Sequence, residues 1–448
     1  MPPANGDASH LLDLALAAAR DAGADAADLL LVERRSLEVS WRLGDLEELE
    51  RKEDRDLGLR VFVGRRQACA STSALDADGL AGFVRELVES ARHLPEDPFA
   101  GLADADQLGR DRVELDVFDP AEPTPDELLQ AAATAEDAAR TVARISNSEG
   151  ASAGWSVSTV HLAASNGLAV RYRRSSHRLG VTVLAGSGTA MERDWEHRSA
   201  THRADLPPPA EIGLIAAERT VRRLNPRKAA TAAVPVVYDP RVASSLVRHL
   251  AAAISGEAIA KGTSFLKDSL GEAIMAPGIV VSDDPLRRRG LASRPMDAEG
   301  LPVARRNLVD AGMLTTWLLD LRTARQLGMR STGHAARGTG GPPSPSPTNL
   351  TLGPGGVSAA DLIGDIRSGL YVTDLMGMGV NMLTGDYSRG AAGFWIEDGA
   401  LTWPVSEVTI AGNLRDMLAN LRPADDLELR GSCDAPTVRI DGMTVAGR

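Results

Sequence analysis

Strand-like stretches follow one another in this chain with no helix between them, which argues against a regular strand–helix alternation. DLLLVERR (28–35), LEVSWRLG (37–44) and GLRVFVG (58–64) come first, and GRR (64–66) offers a hairpin turn into QACASTS. WSVSTVHLAA (155–164), LAVRYRR (168–174) and RLGVTVLAG (178–186) form a second group, followed by the polar MERDWEHRSATH. Each alternates or runs apolar over a short length, as strands do. Helical patterns are set apart from them. One covers residues 10–22. Another places Leu80, Phe83, Val84, Leu87, Val88 and Ala91 on a single stripe. A third starts at TPDE (124–127), where Thr124 can cap, Pro125 suits the first helical position and Glu127 can complete a capping box. A fourth runs from 209 to 224 and ends at Asn225-Pro226. Segregated helices and antiparallel-type strands predict an α+β fold.

At 448 residues the chain exceeds one compact core. RKAATAA (227–233) reads as a linker, so two domains are expected, 1–228 and 229–448, with the boundary near 226–232. The first is a helix and antiparallel-sheet domain. The second is β-rich with a long helix at its start. It begins with the strand AVPVVYD (233–239). Asp239-Pro240 then supplies an N-cap and a first-turn proline for a helix over 240–255 carrying Val242, Leu246, Leu250 and Ile254. A Pro-rich loop, GTGGPPSPSPTN (338–349), and a Gly-punctuated β-like tail follow.

A net charge of −12 argues against a nucleic-acid partner, since phosphate neutralisation needs clustered Lys and Arg. The two cysteines, Cys69 and Cys433, are far apart and suit a reducing cytoplasm. No apolar run is long enough to span a bilayer, and the N-terminal stretch reads as a helix rather than a signal peptide. The expected location is cytoplasmic, with no membrane contact.

The short motifs that suggest chemistry have plainer readings. HRSATH (197–202) spaces two histidines by five, and in a strand that offset points them to opposite faces. It reads as a solvated strand. GASAG (150–154) matches GxSxG around Ser152 but lacks the strand-to-helix elbow that the motif needs. GMGVNM (377–382) has Met382 where a dinucleotide fingerprint needs glycine. Asp297 and Glu299 in DAEG read as a solvent-facing turn. His249 reads as a packed histidine at the edge of the 240–255 stripe.

The second half carries a series of ordered blocks: SGEAIAKGTSF (255–265), RPMDAEGLP (294–302), STGHAAR (331–337), SPTNLTL (346–352), GLYVTDLMGMGVNMLTGDYSRGAAGFWIEDG (369–399), PVSEVTIAGNL (404–414) and APTVRIDGMTVAG (435–447). Together these resemble the TldD/PmbA family, and within it the PmbA branch, also called TldE. The resemblance implies a two-domain α+β subunit of a cytosolic TldD/TldE zinc metallopeptidase that trims unfolded or leader peptides. In the TldD branch a helix before the KGTS block carries HExxxH, and a cysteine near the C-terminus adds a ligand. Counted back from Lys261, that motif falls on VRHLAA (247–252). Val247 and Ala252 then stand at the ligand positions and Arg248 at the general-base glutamate. Catalytic zinc needs about three protein ligands and a base. His249 cannot replace two ligands, and Cys433 lies too near the APTVRIDG block to be promoted.

The resemblance therefore implies no metal on this chain, zinc on a TldD-like partner in a heterodimer, and a role in closing the chamber and holding an extended peptide. His334, Asn349, Asp374, Asn381, Tyr387 and Ser388, all placed in Gly/Pro-rich connections, are the peptide-contact candidates. Two alternatives stand beside this reading: a stand-alone peptide-binding or regulatory protein, and hydrolysis by this chain through other residues.

Overall fold

The computed structural model describes residues 5–109 and 113–447. Its first half is built on one six-stranded antiparallel sheet made of β1 (Ala26–Arg42), β2 (Asp45–Val63), β3 (Arg66–Thr72), β4 (Ile145–Ala164), β5 (Ala169–Ala185) and β6 (Glu192–Ala200), in the order β3-β2-β1-β4-β5-β6. Several stretches that look separate in the sequence are single long strands. The 28–35 and 37–44 segments are continuous through Ser36, and β4 already begins at Ile145, so GASAG lies inside a strand. The charged run DLEELERKEDR also belongs to β2, although it has no apolar alternation. A hairpin explains this. Leu43 and Gly44 both take positive φ (52° and 95°), a two-residue turn that pairs β2 with β1 along their length, with one register shift between Ser40 and Trp41.

Period-two alternation decides which face carries what. Odd-numbered Ala27, Leu29, Leu31, Leu37 and Val39 of β1 all point to the helices. α1 (Asn5–Asp21) and α2 (Ala77–His93) cover one end of this face, over Leu57, Leu59 and Val61. α3 (Pro125–Thr141) and α4 (Pro209–Arg222) cover the other, over Ala151, Trp155 and Val181. The α2 stripe packs as its spacing predicts, with Leu80, Val84, Leu87, Val88 and Ala91 buried; each larger side chain contributes about 1.5–3 kcal/mol. The capping box of α3 is present in full, Thr124 accepting from the Glu127 N–H while the Glu127 side chain accepts from the Thr124 N–H.

Even-numbered Leu30, Val160 and Leu162 point the opposite way and pack with Met296 of the second half. Gly58 is the tightest approach on this face. A Cβ there would lie 2.3 Å from the Thr339 carbonyl oxygen, so the Pro-rich segment runs directly across the sheet.

In the second half, β7 (Ala232–Tyr238) pairs in parallel with Ser368–Met376 and antiparallel with Val438–Ala446. Asp386–Glu397 and Ala400–Asn413 extend the sheet, and Thr409–Ala411 pairs back onto Thr444–Ala446, closing five strands into a barrel. Val234, Val236 and Tyr238 face the main core with α5 (Pro240–Ala253), while Val237 faces Ile363 and Ile366. A second sheet, ordered Met313–Leu314, Arg306–Asp310, Val281–Asp283, Leu350–Leu352, Cys433–Asp434, packs beside α5. The α+β class is as the sequence predicts.

Candidate functional site at the α5 cavity

The N-cap of α5 fixes it at one end. Asp239 accepts from the Arg241 N–H and from the Tyr371 hydroxyl at 3.1 Å, and Pro240 occupies the first turn. Ala243, Leu246, Val247, Leu250, Ala251 and Ala253 bury one face of the helix. Arg248 and Ala252 lie on the other face and are exposed. They line a cavity of about 440 Å³ together with Ser255, Glu257, Ala258, Lys261, Thr263, Pro345 and Pro347. Lys261 pairs with Glu257 at 3.7 Å. Arg248 makes no hydrogen bond or ion pair among the described residues.

Pro347 also borders a second cavity of about 360 Å³, between the sheet and the second half of the chain. Leu30, Val32, Val160 and Leu162 form its apolar floor, and Arg174 and Arg294 add charge at its edge.

Cys433 was discounted on sequence spacing, yet it packs against α5. Its thiol donates to the Ser244 carbonyl at 3.4 Å, and burial pushes its pKa up to about 12, against the smaller opposing effect of Arg248. The strand Cys433–Asp434 brings it there by pairing with Leu350–Thr351. His249 turns away from the cavity. Its ring meets Tyr387 edge-on at 6.1 Å, and burial, with the nearby Arg389 cation, holds its pKa below the usual histidine value.

These residues do not fit a zinc ion. Val247 and Ala252 have no donor atom, Arg248 is a cation, and Cys433 alone falls short of the roughly three ligands required. Among the described residues, no cluster of three His, Cys, Asp or Glu side chains could hold a metal elsewhere.

Five of the six peptide-contact candidates fall into two groups, Asp374 stands apart, and none lines the α5 cavity. His334 and Asn349 are buried beside Val281–Asp283. His334 lies 2.7 Å from the Thr332 hydroxyl and 3.3 Å from Asp283, and Asn349 donates to the Asp284 carbonyl and the Ser293 hydroxyl. Asn381, Tyr387 and Ser388 share the turn and strand over 377–388. There the Asn381 side chain accepts from the Leu383 and Thr384 N–H groups, Tyr387 is buried, and Ser388 is exposed. Asp374 pairs with Arg223 at 3.4 Å. Asp374, Tyr387 and Ser388 are strand residues rather than members of loop connections, paired with Ala392, Gly412 and Ala411.

Two further readings need correction. Asp297 and Glu299 do form a turn, but both are buried. Asp297 accepts from the Glu299, Leu301 and Ala335 N–H groups, and Glu299 accepts from Leu321. Arg60, Asp28 and Arg337 complete this buried ionic cluster, Arg60 Nε donating to Asp28 at 2.8 Å. HRSATH is not simply a solvated strand. His197 is exposed and His202 lies beyond the strand end, 2.9 Å from the Asp116 carbonyl oxygen. Asp194 and Glu196, just before His197 on the same strand, are buried against Arg219, Arg223 and Arg241.

Sequence profiles described as PmbA/TldA metallopeptidase domain 1, central domain and C-terminal domain match residues 27–91, 118–224 and 231–447. The chain is 38% identical to the metalloprotease PmbA of Escherichia coli O157:H7 over 95% of its length and 93% of that protein. It is 37% identical to the metalloprotease PmbA homolog of Haemophilus influenzae, over 97% of the chain and 95% of that protein. Its fold matches that of TldE from Thermococcus kodakarensis with a TM-score of 0.85, at 20% identity, covering 98% of this chain and 100% of that one. The chain belongs to the PmbA/TldD metallopeptidase family.

Proposed function

We propose that this chain is the TldE-type subunit of a heteromeric TldD/TldE peptidase, shaping the chamber and holding an extended peptide while a TldD-like partner carries the hydrolytic zinc. One observation carries the reading: the face of α5 that borders the cavity presents Arg248 and Ala252, with Val247 buried behind them. The resemblance puts the family's metal helix at α5, and the α5 side chains that face the cavity offer no ligand atom. Peptide binding draws support from the adjoining apolar floor of Leu30, Val32, Val160 and Leu162, a surface suited to side chains of varied sequence. Unpaired cysteines are consistent with the cytoplasm as the compartment.

Co-expression with an HExxxH-bearing relative from the same genome tests this. The two chains should co-purify and cleave an unfolded peptide in a chelator-sensitive manner, with neither active alone. Isolation of this chain without any such relative would favour a stand-alone binding protein.

A further inference from the structure

Arg248 is the one arginine in the lining of the α5 cavity. Several buried or half-buried arginines of this chain are held by carboxylates, as Arg60, Arg219, Arg241 and Arg337 are. Arg248 meets none among the described residues, although it projects from the third turn of a helix with a capped start. The nearest acidic group in the cavity lining, Glu257, is taken up by Lys261. Arg248, Lys261 and Glu257 together leave the lining with one net positive charge.

The rest of the lining is small or rigid. Ala251, Ala252 and Ala258 leave room, and Pro345 and Pro347 form a stiff wall with no N–H to compete for an anion. Ser255 adds a free hydroxyl, since it makes no side-chain cap to the helix that follows. A guanidinium held on a helix is a preorganised two-pronged donor, and a carboxylate is its geometric match. Space of about 440 Å³ accommodates the end of a peptide rather than a whole folded partner.

We propose that the α5 cavity is a carboxylate subsite: Arg248, with Lys261 beside it, grips a carboxylate of the bound peptide, while the peptide's body crosses Pro347 onto the apolar sheet face. The proposal rests on the peptide-holding reading above and adds the chemistry and polarity of the grip. The carboxylate can be the peptide's own C-terminus or an Asp or Glu side chain. Both present the same group, and peptide chemistry separates them.

The test uses the full-length chain and N-terminally labelled, unstructured decapeptides of Gly, Ala, Ser and Leu in three forms: free C-terminal acid, C-terminal amide, and amide with one internal Glu. Binding is read by fluorescence anisotropy. The free acid should bind about tenfold to a hundredfold more tightly than the plain amide, the range for a charge-assisted hydrogen-bonded pair. Arg248→Ala should remove that difference, and Lys261→Gln should reduce it. Arg20→Gln, an equal change of charge on the exposed surface of α1, should leave it intact. If only the Glu-bearing amide gains affinity, the subsite takes side-chain carboxylates. Equal affinity for all three forms would overturn the subsite and leave peptide holding in place. No binding of any form would overturn peptide holding itself, and the subsite with it. Arg248 is exposed, so its substitution should not unfold the chain, and a thermal melt of the variant checks this.

Discussion

The thiol of Cys433 donates to the carbonyl oxygen of Ser244, 3.4 Å away on α5, so a residue near the C-terminus is fastened to the helix whose next turn carries Val247 and Arg248. The arrangement holds a cysteine against α5 with no cluster of metal-ligating side chains around it among the described residues.

Burial pushes this thiol up to about 12, so almost none of it is thiolate at neutral pH. Iodoacetamide should alkylate Cys433 in the native protein at least roughly tenfold more slowly than a free cysteine at about pH 8. Mass spectrometry of the Cys433 peptide measures this. Alkylation at the free-cysteine rate would mean that the helix does not shield it.

Glu299 should make stability depend on pH. Its folded pKa is raised to about 8, by burial first and by the charge on Asp297 to a lesser degree, against the opposing pull of Arg60. The unfolded chain loses that proton near the ordinary value of about 4.3. The folded state therefore retains a proton that the unfolded state releases, so stability is full below about pH 4 and falls as pH rises toward 8. Between about pH 5.5 and 8.5 the loss from this group is on the order of 3 kcal/mol. Glu299→Gln keeps an acceptor for the Leu321 N–H and should flatten the slope, measured as urea midpoints at the two pH values. An unchanged slope would exclude Glu299 as its source.

Gly58→Ala should loosen the junction between the two halves. The added Cβ meets the Thr339 backbone oxygen at 2.3 Å, and backbone gives way less easily than a side chain. A loss of about 1–3 kcal/mol in chemical denaturation is expected. A neutral substitution would show that the 338–341 segment shifts freely.

Asp194 ties β6 to the first turn of α5 through Arg241 at 2.8 Å, with Arg223 at 3.6 Å. Asp194→Ala removes the shared carboxylate, though Arg241 keeps Asp239 and Arg223 keeps Glu192 and Asp374. It should cost about 1–3 kcal/mol, the range for losing a charge-assisted hydrogen bond, read as a lowered urea midpoint. A cost within experimental error would mean that water replaces the lost partner.

What the sequence disclosed and what it hid separate along a physical line. The start of α5 was legible because Asp239-Pro240 and an apolar spacing of four are local signals, and the α3 capping box for the same reason. That Val247 and Ala252 carry no donor atom is a matter of residue type, read directly from the sequence. Strand lengths were not, because the hairpin at Leu43–Gly44 sets the register of a charged stretch with no pattern of its own. Nor was the ionic cluster, which joins Asp28, Arg60, Glu299 and Arg337 from distant parts of the chain. Asp297 and Glu299 carried a turn signature, and burial of that turn follows only from the sheet lying over it. The cavity wall was hidden in the same way, since Pro345 and Pro347 reach α5 from a loop nearly a hundred residues downstream.

The most direct measurement is the zinc content and peptidase activity of the purified chain, alone and mixed with an HExxxH-bearing relative. Alone, it should hold no stoichiometric zinc and leave an unfolded peptide intact. Cleavage should appear only in the mixture and disappear with chelator. Chelator-sensitive cleavage by the isolated chain, or one zinc per chain lost on substitution of Cys433, would contradict the account.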